Sequence, residues 1–400
     1  MANTVNLALV GCGGISALHT AGYKDLFSHG CKEFAVTACC DLNKEKAEKS
    51  AREIAKFQGT EPEVFTDSAE LVRSGVADAA DVCVPHCFHH SLTISLLEGG
   101  MHVMVEKPIG ITIKASRKII EAGEKYGRVL ATGENIRRDL STRACAWAIN
   151  KKRIIGDMRF VNVQSINHAP FDYENPVFKW RGVKNLTGGG MIMDSGAHFA
   201  DMIQVLFGEV DQVYCTMNTY DNRMIKEAPV VGDVPADVED MWHAVILFKS
   251  GLHLIWTYSR SLYGEKLSVG NYYGSTGTMI DLGFCFHPFQ GGATAVLADG
   301  TAVSNEQIQS EYMDSLTNDE KTRLFPYGVT NGFAVEVWDF VNAVSTNRKP
   351  EMDGYDGLRA KTLCECCYES SVAGKPVKFK DVLDGRICEY QNPINSFWKL

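Results

Sequence analysis

Val5-Asn6-Leu7-Ala8-Leu9-Val10-Gly11-Cys12-Gly13-Gly14-Ile15-Ser16 is the stretch whose reading decides the fold. Its first six residues, mostly branched and apolar, read as a buried strand that the glycines end in a tight turn. Residues 15–27 then carry the spacing of a helix. Strand, glycine turn and helix in that order suit a dinucleotide. The glycines let backbone approach the pyrophosphate, which sits on the helix N-terminus. Gly11, Gly13, Gly14 and Ile15 are therefore candidate cofactor contacts. Ser16 takes the third glycine position and is still small enough for close helix–strand packing. A generic βα glycine turn is the alternative.

Outward from this turn, the strand at 34–40 ends in Asp41, an acid placed to accept hydrogen bonds from the adenosine ribose. A carboxylate there repels a 2′-phosphate, and no arginine follows in Leu42-Asn43-Lys44. The sequence thus favours NAD over NADP. The plainer role for Asp41, capping the next helix, is one that Asn43 also fills. Strands at 80–84, 102–105 and 128–132 alternate with helices at 44–57, 88–98 and 112–126. That rhythm predicts an α/β, doubly wound parallel sheet, a Rossmann domain over residues 1–133.

The pattern changes near Gly133. A basic helix-like stretch (137–152), a strand (158–168), a polar loop and a glycine-opened helix ending near Phe207-Gly208 come next. Strands then dominate, at 210–220, 242–248 and 252–260, the last two joined by Lys249-Ser250-Gly251. Two helices near 330–345 and 356–372 complete the chain. Residues 134–400 are expected to form one α+β domain with a large, mostly antiparallel sheet.

The 400 residues are 45% hydrophobic and 22% charged, too apolar for a disordered chain. With 40 Lys+Arg against 49 Asp+Glu and no basic run, neither a nucleic-acid groove nor an anionic membrane surface is expected. No apolar run reaches the length of a membrane span, and no leader-like segment precedes the first strand, so a cytoplasmic location is expected. The 13 cysteines read as small hydrophobes rather than a disulfide framework. Cys83, His86, Cys87, His89 and His90 cluster in sequence, and Cys364, Cys366 and Cys367 crowd one helix. Neither group has a second pair at zinc spacing, so no metal is expected.

Two segments carry candidate chemistry. Val84-Pro85-His86-Cys87-Phe88-His89-His90 and Val105-Glu106-Lys107-Pro108 each follow a strand, where ligands of an open α/β sheet bind. Lysine before proline is held extended, outside the following helix, so Lys107 is presented to the crevice. Its ammonium can polarise a substrate oxygen; an ordinary loop lysine is the alternative. In Gly188-Gly189-Gly190-Met191-Ile192-Met193-Asp194-Ser195-Gly196-Ala197-His198, helical spacing would put Asp194, His198 and Asp201 on one face. A carboxylate on one ring nitrogen would then leave the other free to take a proton. The alternative makes Asp194 an N-cap and His198 a satisfied core histidine. Asp172, Tyr173, Glu174 and Asn175 are either pocket residues or a solvated loop.

Taken together, the glycine turn, Pro85-x-x-x-His89, Glu106-Lys107-Pro108, Gly133-Glu134-Asn135, Trp180-Arg181 and Asp194…His198…Asp201 resemble the Gfo/Idh/MocA family (glucose–fructose oxidoreductase, inositol dehydrogenase, rhizopine catabolism). The resemblance spans essentially the whole chain and departs from the usual pattern at Ser16, His86 and Glu134. It implies that Lys107 lies beside the nicotinamide and contacts the reacting hydroxyl. It also implies that His198 is the acid/base, with Asp194 its partner or a substrate ligand. Pro85, His86, His89, Glu106 and Asn135 fall where relatives touch the cofactor, and Trp180 and Arg181 near nicotinamide or substrate. Tyr173 is added as a substrate contact. The implied activity is NAD-dependent oxidation of a secondary ring hydroxyl of a sugar or glycoside, leaning to C3 of a glucoside. An inositol or free-sugar dehydrogenase, or an NAD-retaining glycosidase using transient C3 oxidation, are the alternatives. A homo-oligomer associating through the open-faced sheet is also implied.

Overall fold

The computed structural model describes residues 4–400. By contacts the described residues divide into two units: 4–111 with 115–138 and 317–358, and 112–114 with 139–316 and 359–400.

In the first unit a six-stranded parallel sheet has the order β3-β2-β1-β4-β5-β6. The strands are β1 (Val5–Val10), β2 (Phe34–Cys40), β3 (Glu63–Phe65), β4 (Ala79–Val82), β5 (His102–Glu106) and β6 (Leu130–Gly133). The helices between them are α1 (Ser16–Ser28), α2 (Lys44–Gln58), α3 (Ser68–Ser74), α4 (His86–Glu98) and α5 (Ile113–Tyr126). Helices on both faces explain why β1 and β4 are apolar almost throughout instead of alternating. The strand order reverses between β1 and β4, which opens a crevice at their carboxyl ends. Gly11 sits there at φ +90°, where a Cβ would lie 2.6 Å from the carbonyl oxygen of Cys83, so that close approach needs glycine. The expected boundary between strand and helix moves by two residues: α4 starts at His86, not Phe88.

Helix Gly332–Thr346 belongs to this unit, not to the second as a linear division at 133/134 has it. It packs along α1, and Gly22 makes that contact possible, since a Cβ there would stand 3.0 Å from Ala334 N. Val335, Val337, Phe340 and Val341 join Leu7, Leu9, Tyr23 and Val36 in one apolar core. The stretch 137–152 is likewise split. Ile136–Arg138 is a 3₁₀ turn of the first unit, and Leu140–Asn150 a helix of the second.

The second unit is built on a nine-stranded sheet. Its order is Ala302–Val303, Ala293–Leu297, Gly277–Asp281, Leu267–Gly274, Met158–Ile166, His253–Ser259, Met241–Phe248, Val210–Asn218 and Val377–Lys378. Every neighbour pairing is antiparallel except that of Met158–Ile166 with His253–Ser259. The expected hairpin forms at Gly251, whose φ is +87°. Alternating burial along Met241–Phe248 gives the sheet one packed and one open face. On the packed face, Trp242, Trp256, Phe199 and Phe286 make an aromatic core with ring separations of 4.6–6.2 Å. Helix Gly196–Phe207 stands on Trp256, and a Cβ at Gly196 would meet that ring at 2.8 Å.

Candidate active site

The glycine turn fits a dinucleotide. A Cβ at Gly13 or Gly14 would meet nothing within 4 Å, so the turn is open above its backbone. No side chain caps the N-terminus of α1, which leaves its amide dipoles for an anion. Ser16 donates its hydroxyl to Gly13 O at 2.7 Å, tying the turn to the helix. Asp41 is not the cap of α2; Asn43 is, accepting from Lys46 N. The Asp41 carboxylate instead accepts the Cys12 N–H at Oδ2 and the Asn43 N–H at Oδ1, both at 2.8 Å. It is fixed beside the turn with further lone pairs for ribose hydroxyls.

At the ends of β4 and β5 the candidates gather through backbone clips. Pro85 precedes α4, and His86 begins it, with its ring 5.6 Å from that of His89. His89 is fully buried, with Nδ1 2.8 Å from Pro108 O and Nε2 2.8 Å from Val84 O. Its ring thus lies between the β4 and β5 loops, and burial pushes its pKa below the usual value, so the neutral ring donates to one of the two carbonyls. Glu106 closes β5 and accepts the Lys107 N–H at 2.9 Å, while Lys107 is half-buried. Gly133 lets β6 lie against Glu106, since a Cβ there would come 3.3 Å from its Cα. Asn135 is buried just beyond.

In the second unit the structure brings Trp180, Arg181 and Asp194 together. Arg181 Nε donates to Asp194 Oδ2 at 2.9 Å, and the guanidinium lies 4.6 Å from the centre of the Trp180 ring. Asp194 is not on the helix with His198, as equal helical spacing predicts. Helix Gly196–Phe207 begins two residues later, and Asp194 ends a turn whose amides at Met193 and Asp194 both donate to Gly190 O. Asp194 thus stands just outside the helix that carries His198. His198 and Asp201 do share the helix and are both buried; the His198 ring meets His287 edge-on at 4.9 Å. Tyr173 is a buried ring under Arg223, packed where Gly182 has no side chain. Asp172, Glu174 and Asn175 are exposed, with Asn175 capping a short helix.

Sequence reasoning missed Glu239. Fully buried, it accepts from Gly190 N at 2.7 Å, Ile192 N at 2.9 Å and the Tyr368 hydroxyl at 2.9 Å. Burial pushes its carboxyl up to about 7 in spite of these three donors. A Cβ on Gly190 would lie 2.5 Å from Glu239 O, so glycine and carboxylate are two parts of one device. Its only sequence signal is an acid-rich run, Asp237-Val238-Glu239-Asp240, which reads as solvated loop.

Fold and crevice define a Rossmann-type oxidoreductase that binds NAD. Residues 5–134 match the NAD-binding Rossmann fold of the Gfo/Idh/MocA oxidoreductase family, and residues 151–379 its C-terminal alpha/beta domain; the chain belongs to that family. Over 385 residues it is 24% identical to the myo-inositol 2-dehydrogenase of Thermotoga maritima, covering 95% of this chain and 100% of that one. Over 207 residues it is 26% identical to the D-glucoside 3-dehydrogenase of Escherichia coli, covering 51% and 54%. A levoglucosan dehydrogenase solved with NADH and L-sorbose shares the fold, with a TM-score of 0.75 at 19% identity over 95% of this chain and 100% of that one. No helix among the described residues is long and apolar enough to cross a membrane.

Proposed function

We propose that this chain is an NAD-dependent dehydrogenase of a secondary ring hydroxyl on a sugar or glycoside, with C3 of a glucoside as the first candidate position. The first unit would hold the cofactor through Gly11, Gly13, Gly14, Ile15 and Asp41 at the adenosine side, and through Pro85, His86, Glu106 and Asn135 at the nicotinamide side. When bound, the nicotinamide supplies the hydride acceptor. Lys107 places an ammonium against the substrate oxygen and stabilises its alkoxide character. His198 takes the hydroxyl proton. Asp194 and Arg181 hold neighbouring hydroxyls, and Tyr173 lines the substrate loop.

The observation that supports this reading best is the mount of Lys107. Its backbone N–H is fixed by Glu106 at the carboxyl end of β5, the place where ligands of such sheets bind. The names of the relatives, an inositol dehydrogenase and a glucoside 3-dehydrogenase, support a sugar or cyclitol substrate. A cyclitol is the second reading, favoured by the full-length match to the inositol enzyme. The test is incubation with NAD and a panel of methyl glucosides, free sugars and inositols, following NADH absorbance and product mass. Loss of two hydrogens from a glucoside ring with NADH formed is expected. Product that retains its ring hydrogens but loses its aglycone would point to the NAD-retaining glycosidase instead, and no product from any member would overturn the reading. Copies of the chain are proposed to associate through the open face of the sheet, which sedimentation velocity measures.

A further inference from the structure

The first unit contains a closed polar cluster that ends on Lys107 and that the proposed chemistry leaves unused. His19 on α1 is fully buried, as are Tyr23, Asp81 on β4 and Glu336 on helix Gly332–Thr346. His19 Nδ1 lies 2.8 Å from Asp81 Oδ2, and Nε2 lies 2.9 Å from Glu106 Oε1. The Tyr23 hydroxyl donates to the same Asp81 oxygen. The second Glu106 oxygen accepts the Lys107 N–H. Glu336 Oε1 stands 3.8 Å from His19 Nε2, with Arg138 Nη1 3.6 Å from its other oxygen.

This arrangement follows from sheet register. Asp81 pairs with Met104, so Glu106, two residues on, projects from the same face of the sheet. One ring dropped from α1 therefore spans both acids. A neutral imidazole has a single N–H and can satisfy only one of two carboxylates. Two negatively charged carboxylates at hydrogen-bond distance, unlike the two neutral carbonyls at His89, favour the imidazolium. Burial is the largest single influence and opposes that charge, but Asp81 and Cys83 together overcome it, and the pKa of His19 stands well above the ordinary histidine value. A metal fits less well. Tetrahedral ligation at about 2.0–2.1 Å would hold nitrogen and oxygen roughly 3.3 Å apart, wider than either contact to Asp81 or Glu106.

We propose that His19 is a positioning residue for Lys107: its imidazolium fixes the Glu106 carboxylate, which in turn fixes the backbone from which the lysine projects. The proposal rests on the reading of Lys107 as the group that stabilises the substrate oxyanion. It assigns a task to a histidine that touches neither substrate nor cofactor.

Two substitutions separate this role from plain burial of a charge. His19→Gln keeps a donor where Nε2 was, for Glu106, and loses the donor to Asp81. His19→Asn keeps the donor to Asp81 and loses the one to Glu106. In the NAD-bound protein, amide hydrogen exchange at Lys107 is expected to rise at least about 10-fold in His19→Asn and to stay near the parental rate in His19→Gln. With methyl β-D-glucopyranoside and myo-inositol as donors, kcat is expected to fall on the order of 10²-fold in His19→Asn only. In a Lys107→Ala background, His19→Asn should cost little more. Should His19→Asn not fold, Glu106→Gln breaks the same link from the other side and is expected to raise the same exchange rate. Equal exchange in the Asn and Gln variants, full cost of His19→Asn on top of Lys107→Ala, or a stoichiometric metal in the parent protein that His19→Asn loses would each overturn the proposal. Parental turnover by Lys107→Ala would overturn the role of the lysine itself, and this proposal with it.

Discussion

Lys107 and Asp41 show how much a single residue owes to its mount. In the proposed role of Lys107, Lys107→Ala removes a charge that acts only as the substrate oxygen becomes negative, so kcat is expected to fall by about 10²–10³-fold with NAD affinity intact. Steady-state kinetics beside a fluorescence titration of NAD separates the two. In the proposed function Asp41 acts on the cofactor alone. Its carboxylate is held by two backbone amides, and Asp41→Ala leaves the ribose hydroxyls without an acceptor. NAD affinity should drop by about 10-fold or more, the worth of a hydrogen bond to a charged group, and the preference over NADP should narrow in parallel. Unchanged Kd values for both nucleotides would remove Asp41 from the site. Both residues were legible in the sequence because each lies within a few positions of a strand end that apolar patterning marks.

At the scale of elements, the turn from Gly188 to Ser195 decides what His198 and Asp194 can do. Its shape is set from outside by Glu239, whose carboxylate gathers two of its amides. Glu239→Gln turns an NH₂ group towards one of those amides, donor against donor, and should cost about 1–3 kcal/mol of stability. A denaturant titration measures the cost, and turnover should fall along with it. An unchanged midpoint would show that the glycines hold the turn unaided. The sequence displays the glycines but not their reason, because a periodic pattern records only neighbours along the chain. The same limit made Asp194 look part of the helix, which begins only at Gly196.

For the whole molecule, the buried acids fix the direction in which stability changes with pH. Burial raises the carboxyls of Glu239, Asp281 and Glu365 to about 7 and that of Glu336 to about 8. His19 is also raised, Asp81 and Cys83 together overcoming its burial. Each of these groups binds its proton more tightly folded than unfolded, so each contribution is complete below the unfolded pKa and is lost as pH climbs through the folded one. His89, His90 and His102, lowered by burial, oppose this only below about 6.5. The urea midpoint should therefore fall between pH 6.5 and pH 8. A midpoint that rises over that interval would contradict the protonation states assigned to His19 and Glu336.

The sequence by itself determined the parallel sheet, its glycine turn, the acid at the end of β2, the lysine at the end of β5 and the hairpin at Gly251. All are local: a strand's burial, a turn's φ and a proline's constraint act over a few residues. Only the tertiary structure decided that helix Gly332–Thr346 returns to the first unit. It alone placed Asp194 against Arg181, closed Glu239 on the glycines and set one ring from α1 between Asp81 and Glu106. Those pairings join residues far apart in the chain, and they are favourable only once the apolar cores have brought them together and excluded water. No spacing along the sequence records that condition.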